Sequence, residues 1–271
     1  MKIQHIISLS GGKDSTAMTL LSLKYRNRRD IRYVFADTGN EHSITYAYLN
    51  YLESRLNIQI ERIKPDLSHM VRHKRWVVDT KWRREGVSED VIRRALCELV
   101  PSGNPFLDLC MSKGRFPSRR AQFCTQFLKA EAIENAVIFP LAKQNIKICS
   151  WQGVRAEESV ARANLPILQQ ADLGVWAYRP ILKMKVDQIF DLHRQYKVEP
   201  NPLYLQGMSR VGCMPCINAK KAEIREIAAR FPGEIERIAD WERRVAACSK
   251  HGKSSFFADP HDGKNKSDIY E

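Results

Sequence analysis

The chain has 271 residues, of which 44% are hydrophobic and 28% charged, the composition of a soluble protein with one main core and a smaller appendage. No stretch approaches the roughly 20 uninterrupted apolar residues that cross a bilayer, which excludes a membrane span, and the N-terminus shows no export signal, so a cytoplasmic location is expected. Lys and Arg outnumber Asp and Glu by 44 to 31, a formal charge of +13 that favours an anionic partner such as a nucleotide, tRNA or DNA; a basic surface that serves only solubility is the alternative.

Residues 2–9 alternate loosely and end at Ser10-Gly11-Gly12, and Asp14 to Lys24 then place Ala17, Leu20 and Leu21 on one helical face. A second strand is predicted from Ile31 to Phe35, closed by Asp37-Thr38-Gly39, with a helix from Ile44 to Leu56. Ile58 to Ile63 fits a third strand, Val137 or Ile138 opens an apolar stretch, and Ile146 to Ser150 fits a later strand before Gly153. Strands alternating with helices predict an α/β fold, a parallel sheet covered on both faces.

Between Pro65 and Phe123 the pattern loosens into an insertion, helical around Asp90 to Leu99 and loop-like after Pro101. A helix is predicted from Val186 that stops before Pro200. Ala219 to Cys248 forms two helices broken at Pro232-Gly233, and the polar residues from His251 onward are expected to be mobile. The expected division is a main domain over 1–205, with the insertion at about 65–123, and a tail over 206–271.

The stretch SLSGGKDST at 8–16 bends the chain at the carboxyl end of the first strand. A glycine-rich turn there exposes backbone N–H groups at the start of a helix, an anion site. Gly11 and Gly12 allow close approach, Ser10 and Ser15 supply hydroxyls and Lys13 a mobile charge, a set suited to phosphate. The spacing matches neither G-x-x-x-x-G-K-[ST] nor G-x-G-x-x-G. A tight turn with an Asp or Ser cap would need neither the second glycine nor the lysine.

SGGKDS closely resembles the PP-loop of the N-type ATP pyrophosphatases. FADTGNEH at 35–42, CTQFLK at 124–129, GVRAEES at 153–159 with Arg162, and NPLY at 201–204 leading to RVGCMPC at 210–216 narrow the resemblance to the phosphoadenylyl sulfate (PAPS) reductase-like branch. The resemblance implies a Rossmann-like sheet of the adenine nucleotide alpha hydrolase type with a small helical C-terminal element. It also implies ATP and Mg2+ as cofactors, with the adenine nucleotide across the carboxyl edge of the sheet. Carried over by position, Ser8, Ser10, Gly11, Gly12, Lys13, Asp14, Ser15, Asp37, Thr38, Gly153 and Arg155 would bind it, and Lys13, Asp14 and Arg155 would be catalytic. Asp37 would meet ribose or metal, or else cap the helix after Thr38. Arg155 suits a phosphate clamp because its planar fork makes paired bonds to phosphoryl oxygens. Glu157, Glu158 and Arg162 fit ion pairs that hold that loop.

Seven cysteines in such a chain are read as thiols, metal ligands or redox groups. Cys213-Met-Pro-Cys216 has the spacing of a chelating or a redox pair, and a buried thiol pair has the same spacing. The resemblance adds Cys124 and implies an iron–sulfur cluster on Cys124, Cys213 and Cys216. Cys110 would complete four ligands, or an open iron would bind sulfide. Cys97 and Cys149 are expected to pack. The chain departs from true reductases in its tail, where Cys248 lies outside any Glu-Cys-Gly segment of the kind that carries their nucleophile.

In the insertion, Arg72, His73, Lys74, Arg75, Lys81, Arg83 and Arg84 are interleaved with Trp76 and Trp82, a pattern for phosphate neutralisation with base stacking. Tryptophans that merely anchor the insertion are the other reading. The function expected from the resemblance is adenylylation by ATP for sulfur transfer to tRNA or DNA, with a sulfur donor such as a cysteine desulfurase. Sulfonucleotide reduction to sulfite and a non-catalytic nucleotide-sensing or nucleic-acid-binding module are the alternatives.

Overall fold

The computed structural model describes residues 3–24, 28–171 and 174–257. The chain divides into two compact units: one of Met1–Asp37, Glu41–Ile63 and Ala130–Cys213, the other of Thr38–Asn40, Lys64–Lys129 and Met214–Glu271.

The first unit is built on a six-stranded sheet of order β3-β2-β1-β4-β6-β5. Its strands are β1 (Ile3–Leu9), β2 (Ile31–Ala36), β3 (Ile60–Ile63), β4 (Lys147–Trp151), β5 (Leu168–Gln170) and β6 (Val175–Tyr178), all parallel except β5 against β6. Alternate side chains of a strand leave opposite faces, so each strand feeds two cores. Ile7, Leu9, Phe35 and Trp151 join the core shared with helices α1 (Lys13–Ser22) and α2 (Ser43–Leu56), whereas Ile6, Val34 and Ile148 pack with Val137, Ile138 and Leu141. The α/β class, with both faces covered, is as expected. The hairpin of β5 and β6 carries no sequence signal because β5 is only three residues long and exposed throughout.

The second unit is helical: α3 (Ser68–Val77) with a π turn at Val78–Trp82, α4 (Glu89–Glu98), α5 (Pro105–Lys113), and near the C-terminus α11 (Lys221–Arg230) and α12 (Pro232–Ala247). Between α5 and β4 the chain is helical over 123–143, as α6 (Phe123–Thr125), α7 (Glu131–Ile133) and α8 (Phe139–Lys143) separated by two π turns. Short α9 (Val160–Ala163) follows β4, and α10 (Val186–Gln195) follows β6. Phe106 stacks on Trp241 with ring centroids 5.5 Å apart at the heart of this unit's core.

Two expectations need correction, and one apolar stretch takes a form the sequence left open. The segment after Pro101 is not all loop: Asn104 caps α5 through its side chain, Pro105 occupies the first turn and Gly114 closes the helix at φ 63°. Those residues are helix punctuation here rather than turn signals. The apolar residues Val137 and Ile138 are helical. Beyond His251, Ser255 and Phe256 are buried, because Phe256 packs on Phe106 and Phe116; residues 258–271 of the tail expected to be mobile lie outside the described residues. No helix among the described residues is long and apolar enough to cross a membrane.

Candidate functional site

The bend after β1 is held in shape by its own side chains and by the segment 193–204. Ser15 Oγ donates to Gly12 O at 2.9 Å and accepts from Ser10 N at 3.1 Å, which closes the turn on itself. Gly11 has φ +73°, and a Cβ there would lie 2.8 Å from Thr45 Cγ2, so the turn demands glycine on both conformational and steric grounds. A Cβ on Gly12 would meet Val211 O at 3.1 Å and the Tyr204 hydroxyl at 3.4 Å. The chain after NPLY therefore packs directly against the bend.

Three side chains pin the backbone of the bend from outside. Asn201 Nδ2 donates to Gly11 O at 3.1 Å, Tyr204 OH accepts from Lys13 N at 2.9 Å, and His193 Nε2 lies 3.0 Å from Lys13 O. Burial raises the Tyr204 hydroxyl to about 12 and lowers the His193 imidazole, so both act as neutral groups near pH 7. Asn201 and Tyr204 belong to a motif visible in the sequence. His193 has no such signal, since a lone histidine on a helix does not reveal what it touches.

Two amides of the bend, Ser10 and Lys13, are thus engaged inside the protein. Those of Gly11, Gly12 and Asp14 make no hydrogen bond among the described residues, and the α1 N-cap Gly12 offers no side chain to satisfy them. Donors of this kind at the start of a ten-residue helix attract an anion.

Charge gathers at the same place. Arg155, 5% exposed, donates through Nε to Asp14 Oδ1 at 2.6 Å and through Nη1 to Glu157. Lys13 Nζ stands 3.5 Å from Asp14 Oδ2 and 5.3 Å from the centre of the Tyr204 ring. Glu158 receives the Arg155 amide and pairs with Arg162, so Glu157, Glu158 and Arg162 hold the loop by ion pairs, as read from the sequence. Gly153 brings this loop against α1: a Cβ there would lie 2.9 Å from Met18 Cε.

Ser10, Gly11, Gly12, Lys13, Asp14, Ser15, Gly153 and Arg155 therefore converge. Ser8 sits half-buried in β1, paired with Val34. Asp37, after β2, accepts from Tyr46 OH at 2.7 Å and does not cap α2, whose N-cap is His42. Thr38 falls in the second unit, where its carbonyl accepts from Phe106 N. Both Asp14 oxygens face cations, so this carboxylate is engaged by Arg155 and Lys13 and does not fit a magnesium ligand in this arrangement.

Cys213 closes the first unit, and its thiol points to Glu41 Oε1 at 3.6 Å; Cys110, Cys124 and Cys216 lie in the second. Cys110 is fully buried in the apolar core. Burial pushes the Cys124 thiol up, with Lys129 opposing and the nearby Cys216 adding to the effect. Among the described residues no group of three or more His, Cys, Asp or Glu side chains assembles as a metal site. Cys149 is half-buried, but Cys97, expected to pack, is exposed on the outer face of α4.

A family model for the phosphoadenosine phosphosulfate reductase domain matches residues 4–100 and 109–219. The chain belongs to that family. Within it, the chain is 48% identical over 270 residues to a 37.8 kDa protein of the gpa 5' region of Escherichia phage 186, covering 95% of this chain and 80% of that protein. It is 27% identical over 204 residues to adenosine 5'-phosphosulfate reductase of Allochromatium vinosum, covering 74% of this chain and 64% of the other. A solved PAPS reductase from Candida auris, in a phosphate complex, aligns with TM-score 0.48 at 14% identity over 79% of this chain and 81% of that one. Arg155 and Tyr204 flank the bend of this chain, the one through Asp14 and the other through the Lys13 amide.

Proposed function

We propose that this PAPS reductase-like protein binds ATP on the bend after β1 and adenylylates an oxygen of a nucleic acid, tRNA or DNA, releasing pyrophosphate. The observation that supports it most is the convergence of the Gly11, Gly12 and Asp14 amides with the Lys13 ammonium and the Arg155 guanidinium at one helix N-terminus. The acceptor oxygen attacks the α-phosphorus and the bond to the pyrophosphate oxygen breaks; the amides and cations stabilise the charge that builds on the departing group. Magnesium bound through phosphate oxygens would add charge neutralisation. Arg155 leaves Asp14 to clamp phosphate with its fork, and Lys13 follows the leaving pyrophosphate. The terminal sulfur of a donor persulfide, such as that of a cysteine desulfurase, then displaces AMP from the activated phosphorus or carbon, and a dithiol reduces the resulting disulfide to free the thiolated product.

A second reading is reduction of a sulfonucleotide, favoured by the likeness to the Allochromatium reductase. It needs a reactive thiolate, and Cys248, the cysteine of the tail, is fully buried with its thiol raised to about 12. Incubation with ATP and candidate nucleic acids, against incubation with a sulfonucleotide and a dithiol, separates the two. Pyrophosphate release supports adenylylation; sulfite release with no pyrophosphate refutes it. Tight ATP binding with neither product would leave the non-catalytic module.

A further inference from the structure

The two tryptophans of the basic insertion have different fates. Trp82 is 2% exposed and sits in the core of the second unit with Lys74 and Lys250 over its ring. Trp76, six residues earlier, is 52% exposed. The segment passes from α3 into the π turn between the two indoles, and their burial shows that one face anchors while another presents an indole to solvent. Anchoring accounts for Trp82 and leaves Trp76 without that reason.

Trp76 is not a stray apolar side chain. The His73 ring stacks against it with centroids 5.8 Å apart and planes 29° from parallel, and Lys81 Nζ lies 5.7 Å from its centre. Around this platform, Lys81 and Arg84 are exposed and make no ion pair among the described residues, and Arg72 is exposed with the surface carboxylate Asp66 as an electrostatic neighbour. From Ser68 to Arg84 there are six Lys or Arg and one carboxylate, Asp79, which is spent on Arg83. A flat aromatic surface inside a cationic rim matches unpaired bases on a phosphodiester backbone: the rings stack on base faces and the rim meets phosphates. A duplex hides its base faces in its own stack and offers only the phosphates. An acidic protein would meet the charges but does not present a planar face beside every anionic group, as a single strand does with one base per phosphate.

We infer that the exposed face of α3 and its π turn, centred on Trp76 and His73, binds single-stranded nucleic acid. This deepens the reading that the acceptor is a nucleic acid, and rests on it.

The test uses the full chain with fluorescently labelled oligothymidine, oligouridine and a blunt DNA duplex, followed by anisotropy and by quenching of tryptophan emission. The single strands should bind and quench, the duplex should bind more weakly, and Trp76→Ala should weaken single-strand binding about tenfold. Trp76→Phe should recover most of it. Arg72→Ala and Lys81→Ala should each lower the slope of log affinity against log salt by about 0.7. Preference between the thymidine and uridine strands assigns the source as DNA or RNA; either supports the surface. Equal binding of duplex and single strand, or of polyglutamate, with no effect of Trp76→Ala would overturn it. Pyrophosphate release from ATP is measured in parallel. If the unaltered chain ignores every oligonucleotide yet still releases pyrophosphate, the surface falls and the nucleotide chemistry stands; strand binding that depends on Trp76 without pyrophosphate release sinks the chemistry and keeps the surface.

Discussion

Arg155 Nε lies 2.6 Å from Asp14 Oδ1 although the two residues are 141 positions apart, and the arginine side chain is only 6% exposed. A charge so placed depends on its partner, because an unpaired ion in a buried site is strongly disfavoured. Glu157 shares the guanidinium, which softens the loss. Asp14→Asn should therefore lower stability by about 2 kcal/mol in urea denaturation. Asp14→Asn combined with Arg155→Met should be less destabilised than the sum of the single changes, with a coupling of about 1 kcal/mol; strict additivity would show that the pair does not couple.

Lys13 contributes its ammonium to the site while its backbone is held by Tyr204 and His193. Lys13→Ala removes the charge and keeps both backbone bonds. The expected result is loss of pyrophosphate release by at least about 100-fold, in the range of losing one oxyanion-stabilising donor, with the thermal midpoint nearly unchanged. Unchanged release would detach the bend from catalysis.

Gly11→Ala imposes a side chain on a left-handed residue and drives its Cβ to within 2.8 Å of Thr45 Cγ2. The combined cost should be about 1–3 kcal/mol, visible as a lower thermal midpoint, and ATP protection against unfolding should shrink. Thr45→Ser relieves the methyl contact and should restore part of the loss, whereas no recovery would place the cost in the backbone alone.

Cys248 and Cys110 are fully buried and Cys97 is exposed. In native protein a chromogenic disulfide reagent should react with Cys97 quickly and with Cys248 only after denaturant is added. The Cys248 thiol, raised by burial from 9.0 to about 12, also sets a pH dependence. Below pH 9 the thiol is protonated in both states and contributes no slope. Between about 9 and about 12 the unfolded chain loses the proton and the native chain keeps it, so stability falls as pH rises. Cys248→Ala should reduce that alkaline decline, to which the half-buried Cys149 thiol and Tyr204 hydroxyl also contribute, in a series of denaturation curves; an unchanged slope would show that the Cys248 thiol is not a contributor.

The βα units were legible because each strand and helix carries a local period, and SGGKDS was legible because a phosphate-binding bend needs several unusual residues in a row. The helix α5 was spelled out by Asn104, Pro105 and Gly114, yet the same residue types also punctuate loops, and only the packing of Phe106 and Leu107 into a core distinguishes the two. Trp76 and Trp82 look alike in the sequence; burial separated them.

By itself the sequence determined the α/β class and the location of the bend with its own glycines, hydroxyls and lysine, since these depend on local spacing and on side-chain chemistry. Only the tertiary structure decided that Arg155 reaches Asp14, that Tyr204, His193 and Asn201 grip the bend, and that Cys248 is sealed away. Those are contacts between residues far apart in the chain, and their distances follow from how the elements pack rather than from any repeat along it.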